Sequence, residues 1–373
     1  MRSSGTPSRL ATANGSDENP LGLDGFEFVE FTSPDPDALA RAFTAMGFTH
    51  LATHRARNLR RYAQGGINLL LNMEAQGQAA AFLAAHGPSA NAMAFRVTDA
   101  DAALAEAVGR GARLASEAGG PRAFDLPALE GIGGATLYLV DAAGAAKIYD
   151  EDFVAVPGAT PDDRSVGFHT LDHLTHNVGR GRMQYWAEFY ESIFNFRELR
   201  RFDIQGQSTG LYSKAMTAPD NKIRIPLNES QDEHSQIEEF LRQYRGEGIQ
   251  HIALATDDIF ATVDALKAAG IGLQDTPERY FDQIDARLGA HGHDIEALRA
   301  RRILIDGAPE TGGGILLQIF TENMVGPIFF EIIQRKGNEG FGEGNFKALF
   351  ESIEIDQMRR GVIPASAMLV AAE

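Results

Sequence analysis

The sequence predicts an α+β protein of two halves, each assembled from paired βαβββ modules, and two repeated patterns support this prediction. Residues 26–48 and 172–196 each run through a strand, a turn and a helix, and each ends at a Phe that follows Gly or Asn. Residues 91–117 and 250–273 each contain an alternating strand, an Asp-containing helix start and an amphipathic helix. Repeats of this kind indicate duplication of a small αβ unit.

The helix ends of the second repeated pattern carry their own signals. Asp99 and Asp257 are expected to accept hydrogen bonds from the first backbone amides of their helices. Gly109 or Gly111 in one copy, and Gly270 in the other, are expected to end the helix, because glycine adopts the left-handed conformation at little cost. These signals predict that each helix follows directly after its strand.

Each half is expected to close with a pair of strands. The candidates are TLYLVD and AAKIYD within 136–150, and ILLQIFT and IFFEIIQ within 315–334. A stretch rich in Pro, Gly and Asp separates the halves and is typical of a linker. The predicted division is a disordered polar tail over 1–20, an N-terminal domain without metal over 21–155, a linker over 156–167, and a catalytic domain with a C-terminal helix over 168–373.

Composition narrows the possible function classes. The 373-residue chain contains no cysteine, so disulfides, thiolate metal sites and cysteine nucleophiles are excluded. Its formal net charge of −17 disfavours binding to nucleic acid or to an anionic membrane surface. No apolar run reaches the ~18–20 residues of a membrane span, and residues 1–20 lack the apolar segment of a secretory signal. We therefore expect a cytoplasmic protein in which any metal is bound by His, Asp or Glu.

A comparison of the two halves singles out three candidate metal ligands. His173, His251 and Glu331 lie on predicted strands of the second half. The aligned positions of the first half are Glu27, Met93 and either Ile148 or Tyr149. An apolar or aromatic residue stands at two of these three first-half positions. That pattern is expected when one copy of a duplicated scaffold holds a metal and the other only packs.

Each candidate ligand also has a purely structural interpretation. A histidine on an apolar strand, such as His251, is commonly a buried residue whose ring nitrogens bind protein groups. Strand alternation could turn Glu331 toward solvent, although an unpaired carboxylate among Phe and Ile side chains is costly to bury. His176 lies three residues from His173, so it is expected on the opposite face of the strand in a structural role.

Two imidazoles and one carboxylate form the facial triad of non-haem Fe(II) oxygenases. Such a triad leaves three coordination positions open, so a bidentate organic ligand and O2 can bind the same iron. A weaker second metal motif is the pair His291 and His293 in AHGHD.

Four segments resemble 4-hydroxyphenylpyruvate dioxygenases. They are LDHLTHNV (171–178), GIQHIALAT (248–256), LLQIFTENMVGPIFFEIIQRKG (316–337) and GFGEGNFKALFESIE (340–354). Within them His173, His251 and Glu331 match the iron ligands of the family. The resemblance implies the vicinal oxygen chelate fold, in which paired βαβββ modules form open barrels. It also implies a metal in the C-terminal barrel and a lid formed by a C-terminal helix at about 345–358.

The same resemblance implies a set of substrate-binding residues. The polar side chains that match the family's cavity are Ser213, Asn228, Gln236, Gln250, Gln318 and Asn345. The aromatic side chains that match its walls are Phe320, Phe329, Phe341 and Phe346. Core packing is the alternative for the aromatic residues, but Phe341 and Phe346 lie in a Gly-rich segment that forms core structure poorly. Beyond the triad, no further catalytic residue is expected.

The activity that the resemblance implies is an Fe(2+)-dependent conversion of 4-hydroxyphenylpyruvate and O2 to homogentisate and CO2, a step of tyrosine and phenylalanine catabolism. Because this substrate carries its own 2-oxo acid, no 2-oxoglutarate is required. Bacterial relatives imply a homo-oligomer, either a dimer or a tetramer.

Three alternatives remain open from the sequence. Hydroxymandelate synthase shares the fold, the iron site and the substrate but hydroxylates the benzylic carbon; Pro226, Asn228 and Phe346 favour the ring-hydroxylating dioxygenase. A metal-free protein of this scaffold could bind a small ligand between its modules, although the ligand-type residues of the second half argue against it. An enzyme with another metal could isomerise a substrate or cleave a catechol ring with the same triad, and only the matching cavity residues argue against that reaction.

Overall fold

The computed structural model describes residues 18–117, 119–205, 209–342, 344–346, 353–354, 357–358 and 360–361. Within these residues the strands form two eight-stranded sheets, one from each half of the chain. The strands of the first sheet are β1 (Leu23–Thr32), β2 (Thr49–His54), β3 (Leu59–Gln64), β4 (Ile67–Asn72), β5 (Ser89–Val97), β6 (Ala128–Glu130), β7 (Thr136–Val140) and β8 (Phe153–Ala155). The strands of the second sheet are β9 (Phe168–Val178), β10 (Arg197–Gln205), β11 (Gly210–Thr217), β12 (Arg224–Ser230), β13 (Gly248–Thr256), β14 (Leu304–Gly307), β15 (Ile315–Phe320) and β16 (Phe329–Lys336).

The helices join these strands in the order that the repeats predict. In the first half they are α1 (Pro36–Ala45), α2 (Gln78–His86), α3 (Ala100–Gly109) and α4 (Ala142–Ala146). In the second half they are α5 (Met183–Phe194), α6 (Gln236–Tyr244), α7 (Ile259–Ala268), α8 (Glu278–Asp282), α9 (Ile284–Leu288) and α10 (Ile295–Arg301). In the part of the chain that the structure describes, no helix is long and apolar enough to cross a membrane.

The α+β fold of paired βαβββ modules is confirmed. In the second sheet β9 is parallel to β12, β13 is parallel to β16, and β9 and β13 pair antiparallel at the centre. The first sheet repeats this arrangement, with β1 parallel to β4, β5 parallel to β7, and β1 and β5 antiparallel. The strand order of the second sheet is β10-β11-β12-β9-β13-β16-β15-β14, so its two end strands are not neighbours and the described sheet is an open one.

One predicted strand of the first half is wrong. The segment AAKIYD is helical, because α4 is followed directly by a π-helical turn over Lys147–Asp152. Alanines favour a helix, and the Asp141 side chain caps it by accepting a hydrogen bond from the Gly144 amide at 2.8 Å. The short strand β8 follows and pairs with β2 at the far edge of the sheet.

The predicted helix ends are confirmed in part. Asp99 caps α3 by accepting a hydrogen bond from the Ala102 amide at 2.9 Å. The cap of α7 is Asp258 and not Asp257, since its side chain accepts from the Ala261 amide. Gly111 and Gly270 have φ values of +101° and +81°, as expected for the residue that ends a helix in the left-handed conformation.

The two halves share one hydrophobic core between the outer faces of their sheets. Its largest buried cluster contains residues of both halves. The rings of Phe31 and Phe330 lie 6.3 Å apart, and those of Phe95 and Phe194 lie 5.5 Å apart. The backbone of the connecting segment is held by the buried Gln64 side chain, whose Oε1 accepts hydrogen bonds from the Val166 and Phe168 amides. This packing fixes one face of the second sheet and positions the strands that carry the candidate ligands on its other face.

Two predicted segments fall largely outside the described residues. Residues 1–17 of the predicted tail are among those not described, and Asn19 exchanges two hydrogen bonds with Leu23 at 2.8 and 2.9 Å. Of the predicted lid helix over 345–358, the residues that are described have a helical backbone.

Candidate metal centre

The three predicted ligands come from the three central strands of the second sheet. Ala253 on β13 is the direct neighbour of His173 on β9 and of Glu331 on β16, and His251 lies two residues before it. Glu331 Oε2 lies 3.2 Å from His173 Nε2 and 3.3 Å from His251 Nε2. One ligand atom from each residue lies within 4.8 Å of the others, and all three side chains are buried. Among the described residues, this is the one group of three or more His, Cys, Asp or Glu residues that could hold a metal ion.

Both imidazoles are oriented by a hydrogen bond at the other ring nitrogen. His173 Nδ1 lies 2.8 Å from Asp172 Oδ1, and His251 Nδ1 lies 3.0 Å from Gln250 Oε1. Since each acceptor needs a proton on Nδ1, each Nε2 keeps its lone pair and faces the centre of the site. A break in the strand register between Ile249 and His251 allows Gln250 and His251 to face the same side. The arrangement is that of two imidazoles prepared to bind a cation through Nε2.

Asp172 is itself part of a buried ion pair. Its carboxylate receives two 2.7 Å hydrogen bonds from Arg335, and Arg224 lies 3.5 Å away. Burial alone would raise the pKa of Asp172, but the Arg335 guanidinium holds it well below the usual range. The carboxylate is therefore ionised at neutral pH and can fix the His173 ring. Arg335 also donates to the carbonyls of Asn338 and Gly340, which ties the turn after β16 to this pair.

The charges of the three predicted ligands favour a metal cation. Burial opposes ionisation of Glu331, but the imidazoles of His173 and His251 hold its pKa at about 2. Burial lowers the pKa of His251, whereas at His173 the nearby Glu331 and Asp172 carboxylates outweigh burial and raise the pKa. One carboxylate faces two imidazoles in a buried site, and a divalent cation would complete its charge balance.

The first sheet has packing residues at the equivalent positions. Ala94 pairs with Phe28 and Tyr138 as Ala253 pairs with His173 and Glu331. The structural counterparts of His173, His251 and Glu331 are therefore Phe28, Ala92 and Tyr138. They lie in one apolar cluster, where the rings of Phe28 and Tyr138 are 5.7 Å apart. The alignment with Glu27, Met93 and Ile148 or Tyr149 was wrong, because a register break precedes Phe28 and the segment containing Ile148 is helical.

Three of the four predicted wall aromatics surround the triad. The Phe329 ring stacks on the His251 ring with their centres 4.9 Å apart. The centre of the Phe320 ring lies 6.2 Å from that of His251 and 6.0 Å from that of Phe329. The centre of the Phe341 ring lies 5.5 Å from that of His173. All three side chains are buried. Phe346 is different, because it is half-buried and packs edge-to-face on Phe202 at 5.4 Å. The triad thus lies against an apolar wall made by β15, β16 and the turn after β16.

The predicted amides fall into two groups, and the first is connected to the triad. Gln318 Nε2 donates to Glu331 Oε1 at 2.7 Å, and Asn345 Nδ2 donates to Gln318 Oε1 at 2.9 Å. Gln250 supports His251, as described above. Each of these three side chains binds a predicted ligand directly or through another of the three, so each helps to hold the triad in place.

The second group lies beside the triad, on β11, β12 and α6. Ser213 on β11 is the direct neighbour of Asn228 on β12, and Asn228 is the neighbour of Asn177 on β9. Gln236, the first residue of α6, lines a cavity of about 640 Å³ together with Gln250 and Phe329. The described hydrogen bonds do not join Ser213, Asn228 or Gln236 to the triad. Strand pairing places Ser213 and Asn228 on the sheet beside the triad, and Gln236 lies at the neighbouring cavity.

Sequence reasoning missed three residues close to the site. Asp172 is the partner of His173, and its position directly before that histidine was the available signal. Thr175 Oγ1 lies 2.9 Å from His251 Nε2, and its place two residues after His173 puts both on one face of the strand. Asn177 shares that face and is fully buried, and its amide has no hydrogen-bond partner within the described part of the chain.

The other histidines lie elsewhere. His176 points away from the triad, and its Nε2 is 2.8 Å from the Tyr190 hydroxyl of α5. Burial lowers the pKa of His176 to about 3, so it is a neutral core residue and its predicted structural role is confirmed. His291 and His293 stack with ring centres 6.4 Å apart, and His291 Nε2 lies 3.0 Å from Asp285.

Comparison with known proteins supplies the family. A family model described as "Hydroxyphenylpyruvate dioxygenase, HPPD, N-terminal" matches residues 17–154. A second, described as "Glyoxalase/Bleomycin resistance protein/Dioxygenase superfamily", matches residues 170–284. The chain is 56% identical to a 4-hydroxyphenylpyruvate dioxygenase of Pseudomonas aeruginosa, over 95% of this chain and 99% of that protein.

Two solved structures have a similar fold. One is a xylose isomerase-like TIM barrel/4-hydroxyphenylpyruvate dioxygenase fusion protein, with a TM-score of 0.77 and 32% identity over 90% of this chain. This chain spans 54% of that longer protein. The other is a mutant of 4-hydroxymandelate synthase from Streptomyces coelicolor, with a TM-score of 0.75 and 27% identity over 90% of this chain and 99% of that one. Given the 56% identity over nearly the full length of the Pseudomonas enzyme, the chain belongs to the family of 4-hydroxyphenylpyruvate dioxygenases.

Proposed function

We propose that this enzyme is an Fe(II)-dependent dioxygenase that converts 4-hydroxyphenylpyruvate and O2 to homogentisate and CO2. The observation that carries the proposal is the convergence of His173, His251 and Glu331 on one buried point of the second sheet. The two imidazoles and one carboxylate are the ligand set of non-haem Fe(II) oxygenases, and no cysteine is available to favour a softer metal.

The donor atoms fit a ferrous ion bound by His173 Nε2, His251 Nε2 and Glu331 Oε2. Such an ion would bind the 2-oxo acid and O2 at its open positions and would supply the oxidising chemistry. The protein's own contribution is to fix the ligands. Asp172 and Gln250 hold the two rings through Nδ1, and Gln318 holds the second carboxylate oxygen of Glu331.

The aromatic wall excludes water and gives the substrate ring a surface. Phe320, Phe329 and Phe341 are buried around the triad, so charged groups inside interact in a medium of low polarity. An aromatic substrate would pack on these rings in offset or edge-to-face geometry. We assign Phe346 to the outer end of the same wall, since it continues the segment that begins with Phe341.

Three polar residues of the sheet and of α6 are assigned to the polar ends of the substrate. Ser213, Asn228 and Gln236 lie beside the triad and at the neighbouring cavity, and their amide and hydroxyl groups can donate to a phenol oxygen or to a carboxylate. Gln250, Gln318 and Asn345 are assigned a supporting role toward the metal ligands as well as the substrate. The N-terminal domain over 21–155 is assigned a packing role without metal.

The test is turnover with product identification. Protein purified without added metal is assayed anaerobically for iron, then supplied with 4-hydroxyphenylpyruvate under air, and the product is identified by mass spectrometry and NMR. We expect one CO2 and one homogentisate per substrate, loss of turnover after chelation, and recovery on adding Fe(II) but not Zn(II). Release of 4-hydroxymandelate would favour the synthase reaction, and an iron-loaded enzyme that leaves the substrate unchanged would contradict both assignments.

A further inference from the structure

The helices α8 and α9 form an insertion between α7 and β14, and their buried side chains show that it is part of the fold. Phe281 and Ile284 are at most 1% exposed. The insertion brings Tyr280 and Arg287 against β14 and the turn after β16. Through Asn345 and Gln318, these side chains are connected by hydrogen bonds to Glu331.

The Tyr280 hydroxyl receives more hydrogen bonds than it can donate. Arg287 Nη2 donates to it at 2.9 Å, and the Ile305 amide donates to it at 2.8 Å. Its single proton has two acceptors within reach, the Ile305 carbonyl at 2.9 Å and Asn345 Oδ1 at 2.7 Å. Because Arg287 and the Ile305 amide already occupy both lone pairs of the hydroxyl, Asn345 cannot donate to it and must accept, so the proton goes to Asn345 Oδ1, the nearer of the two acceptors. Burial raises the pKa of Tyr280 to about 12, so the hydroxyl keeps its proton at neutral pH.

This donation fixes the orientation of two amides in succession. Asn345 accepts from Tyr280 through Oδ1, so its Nδ2 must face Gln318, where it donates to Oε1 at 2.9 Å. Gln318 then presents Nε2 to the other side, where it donates to Glu331 Oε1 at 2.7 Å and to the Phe341 carbonyl at 3.1 Å. Both hydrogens of Gln318 Nε2 are used, and a flipped amide would place an oxygen against the Glu331 carboxylate.

The Asp306 carboxylate holds both Arg287 and the backbone next to Asn345 in place. Arg287 Nη1 donates to Asp306 Oδ1 at 3.0 Å, and the Gly344 amide donates to Asp306 Oδ2 at 2.7 Å. A Cβ at Gly344 would lie 2.2 Å from Arg287 Nη1 and 2.5 Å from Asp306 Oδ1, so the absence of a side chain allows this close approach. The pair Arg287–Asp306 therefore fixes both the donor and the backbone that carries Asn345.

We propose that Arg287 and Tyr280 are positioning residues for Glu331, acting through a one-way hydrogen-bond chain Arg287→Tyr280→Asn345→Gln318→Glu331. The chain holds Glu331 Oε1 on the protein side and so leaves Oε2, the oxygen nearest both imidazoles, as the metal-binding atom. The role of Arg287 and Tyr280 rests on the proposed function, in which Glu331 is a ligand of Fe(II). It gives the α8–α9 insertion a role in setting metal affinity, although neither helix contributes a metal ligand.

The first test is the anaerobic Fe(II) dissociation constant of Tyr280→Phe, measured without substrate and well below the unfolding temperature. Loss of the hydroxyl removes the donor to Asn345, and we expect metal binding to weaken about tenfold or more. The matched control is Tyr138→Phe, a buried tyrosine of the other sheet whose hydroxyl faces the Phe124 amide. The control is expected to leave the dissociation constant unchanged even where it lowers stability. Unaltered metal affinity in Tyr280→Phe would overturn the proposal.

A second test separates a relay from general loosening. In a Gln318→Ala background the chain is already broken, so adding Tyr280→Phe should weaken metal binding no further. If the double variant raised the Fe(II) dissociation constant by the product of the two single effects, the relay would be overturned.

Arg287→Gln provides an independent variant, since Arg287 is partly exposed and its loss frees a lone pair of the Tyr280 hydroxyl, which then no longer forces Asn345 to accept. It should weaken metal binding in the same direction, and unchanged affinity would contradict the chain. Since no substrate is present, these results stand or fall separately from the identity of the product.

Discussion

At the scale of single residues, two buried glutamates show how surroundings decide the role of a carboxylate. Glu331 faces two imidazoles, which hold its pKa at about 2 despite burial. Glu30 lies inside the first sheet, where burial raises its pKa and its Oε1 accepts from Asn72 and Asn91 at 2.7 Å. The first is suited to bind a cation, whereas the second is held by amide donors inside the packing of the first sheet.

Replacing Glu331 by Ala is predicted to remove most of the bound iron and all measurable turnover, because two neutral imidazoles alone bind Fe(II) poorly. Iron per chain and CO2 release from 4-hydroxyphenylpyruvate are the measurements. The control is Glu30→Gln, a buried substitution of similar shape in the other sheet, which should keep the iron content of the wild type. CO2 release at the wild-type rate by Glu331→Ala would remove Glu331 from the site.

Metal affinity is predicted to fall as pH falls. A metal ion must displace the proton from each imidazole, so a raised pKa at His173 brings proton competition to a higher pH than usual, while the lowered pKa of His251 delays it. Glu331 stays ionised throughout this range. The dissociation constant for Fe(II), titrated anaerobically from pH 8 to pH 5, should therefore rise by about tenfold per pH unit below the raised pKa of His173. A dissociation constant that stays flat down to pH 5 would contradict this assignment of protons.

The sequence allowed the three candidate ligands to be chosen, because each is a polar residue on an otherwise apolar strand of one half. It did not allow their partners to be found. Tyr280 and Asn345 are separated by 65 residues in the chain and meet only through the fold. The counterpart of His173 was misplaced by one residue, because register breaks in β1 and β13 shift which side chain faces inward.

At the scale of elements, the turn after β16 depends on one glycine. Gly342 has a φ of +77°, and a Cβ there would lie 1.9 Å from Gln318 Oε1. The turn can approach Gln318 closely only because no side chain intervenes. The same approach brings Phe341 to the His173 ring.

Gly342→Ala is predicted to displace Gln318 and so to lower metal affinity and turnover severalfold. Gly337→Ala is the control, since Gly337 has a φ of +76° but its nearest atom to a new Cβ is 3.8 Å away. Both variants carry the left-handed penalty of about 1–2 kcal/mol, which thermal unfolding would measure, and only Gly342→Ala should lose iron. Equal iron contents in the two variants would show that the contact with Gln318 is unimportant.

Most elements followed from periodicity, and the exceptions have a local cause. The strands ILLQIFT and IFFEIIQ were found because their apolar character is continuous, as expected for buried strands. AAKIYD has a similar share of apolar residues, but its alanines and the preceding Asp141 cap favour a helix. The buried faces of α8 and α9 could not be recognised from the sequence, because helices of five residues are too short to show a helical period of apolar residues.

At the scale of the whole molecule, the two sheets depend on each other. Phe31 of β1 is fully buried, and its ring lies 5.2 Å from Phe43 in its own half and 6.3 Å from Phe330 in the other. Phe330 directly precedes Glu331. The half with packing residues at the equivalent positions therefore supports the strand that carries the proposed carboxylate ligand.

Phe31→Ala is predicted to destabilise both halves together by about 3–5 kcal/mol, the usual cost of removing a buried Phe ring. The single tryptophan, Trp186, lies in α5 of the second half and reports on that half by fluorescence. In Phe31→Ala, the denaturant midpoint measured by Trp186 fluorescence should fall together with the midpoint measured by circular dichroism. Val154→Ala, at an exposed position of the first half, serves as the control and should leave both midpoints in place. A Trp186 transition that is unmoved in Phe31→Ala would mean that the halves unfold independently.

The most direct measurement is an anomalous difference map, recorded at the iron absorption edge from crystals grown anaerobically with Fe(II). The account predicts one iron peak per chain, coordinated by His173 Nε2, His251 Nε2 and Glu331 Oε2, with Glu331 Oε1 still hydrogen-bonded to Gln318. A peak at another group such as His291 and His293, or ordered iron without all three of these ligands, would contradict it.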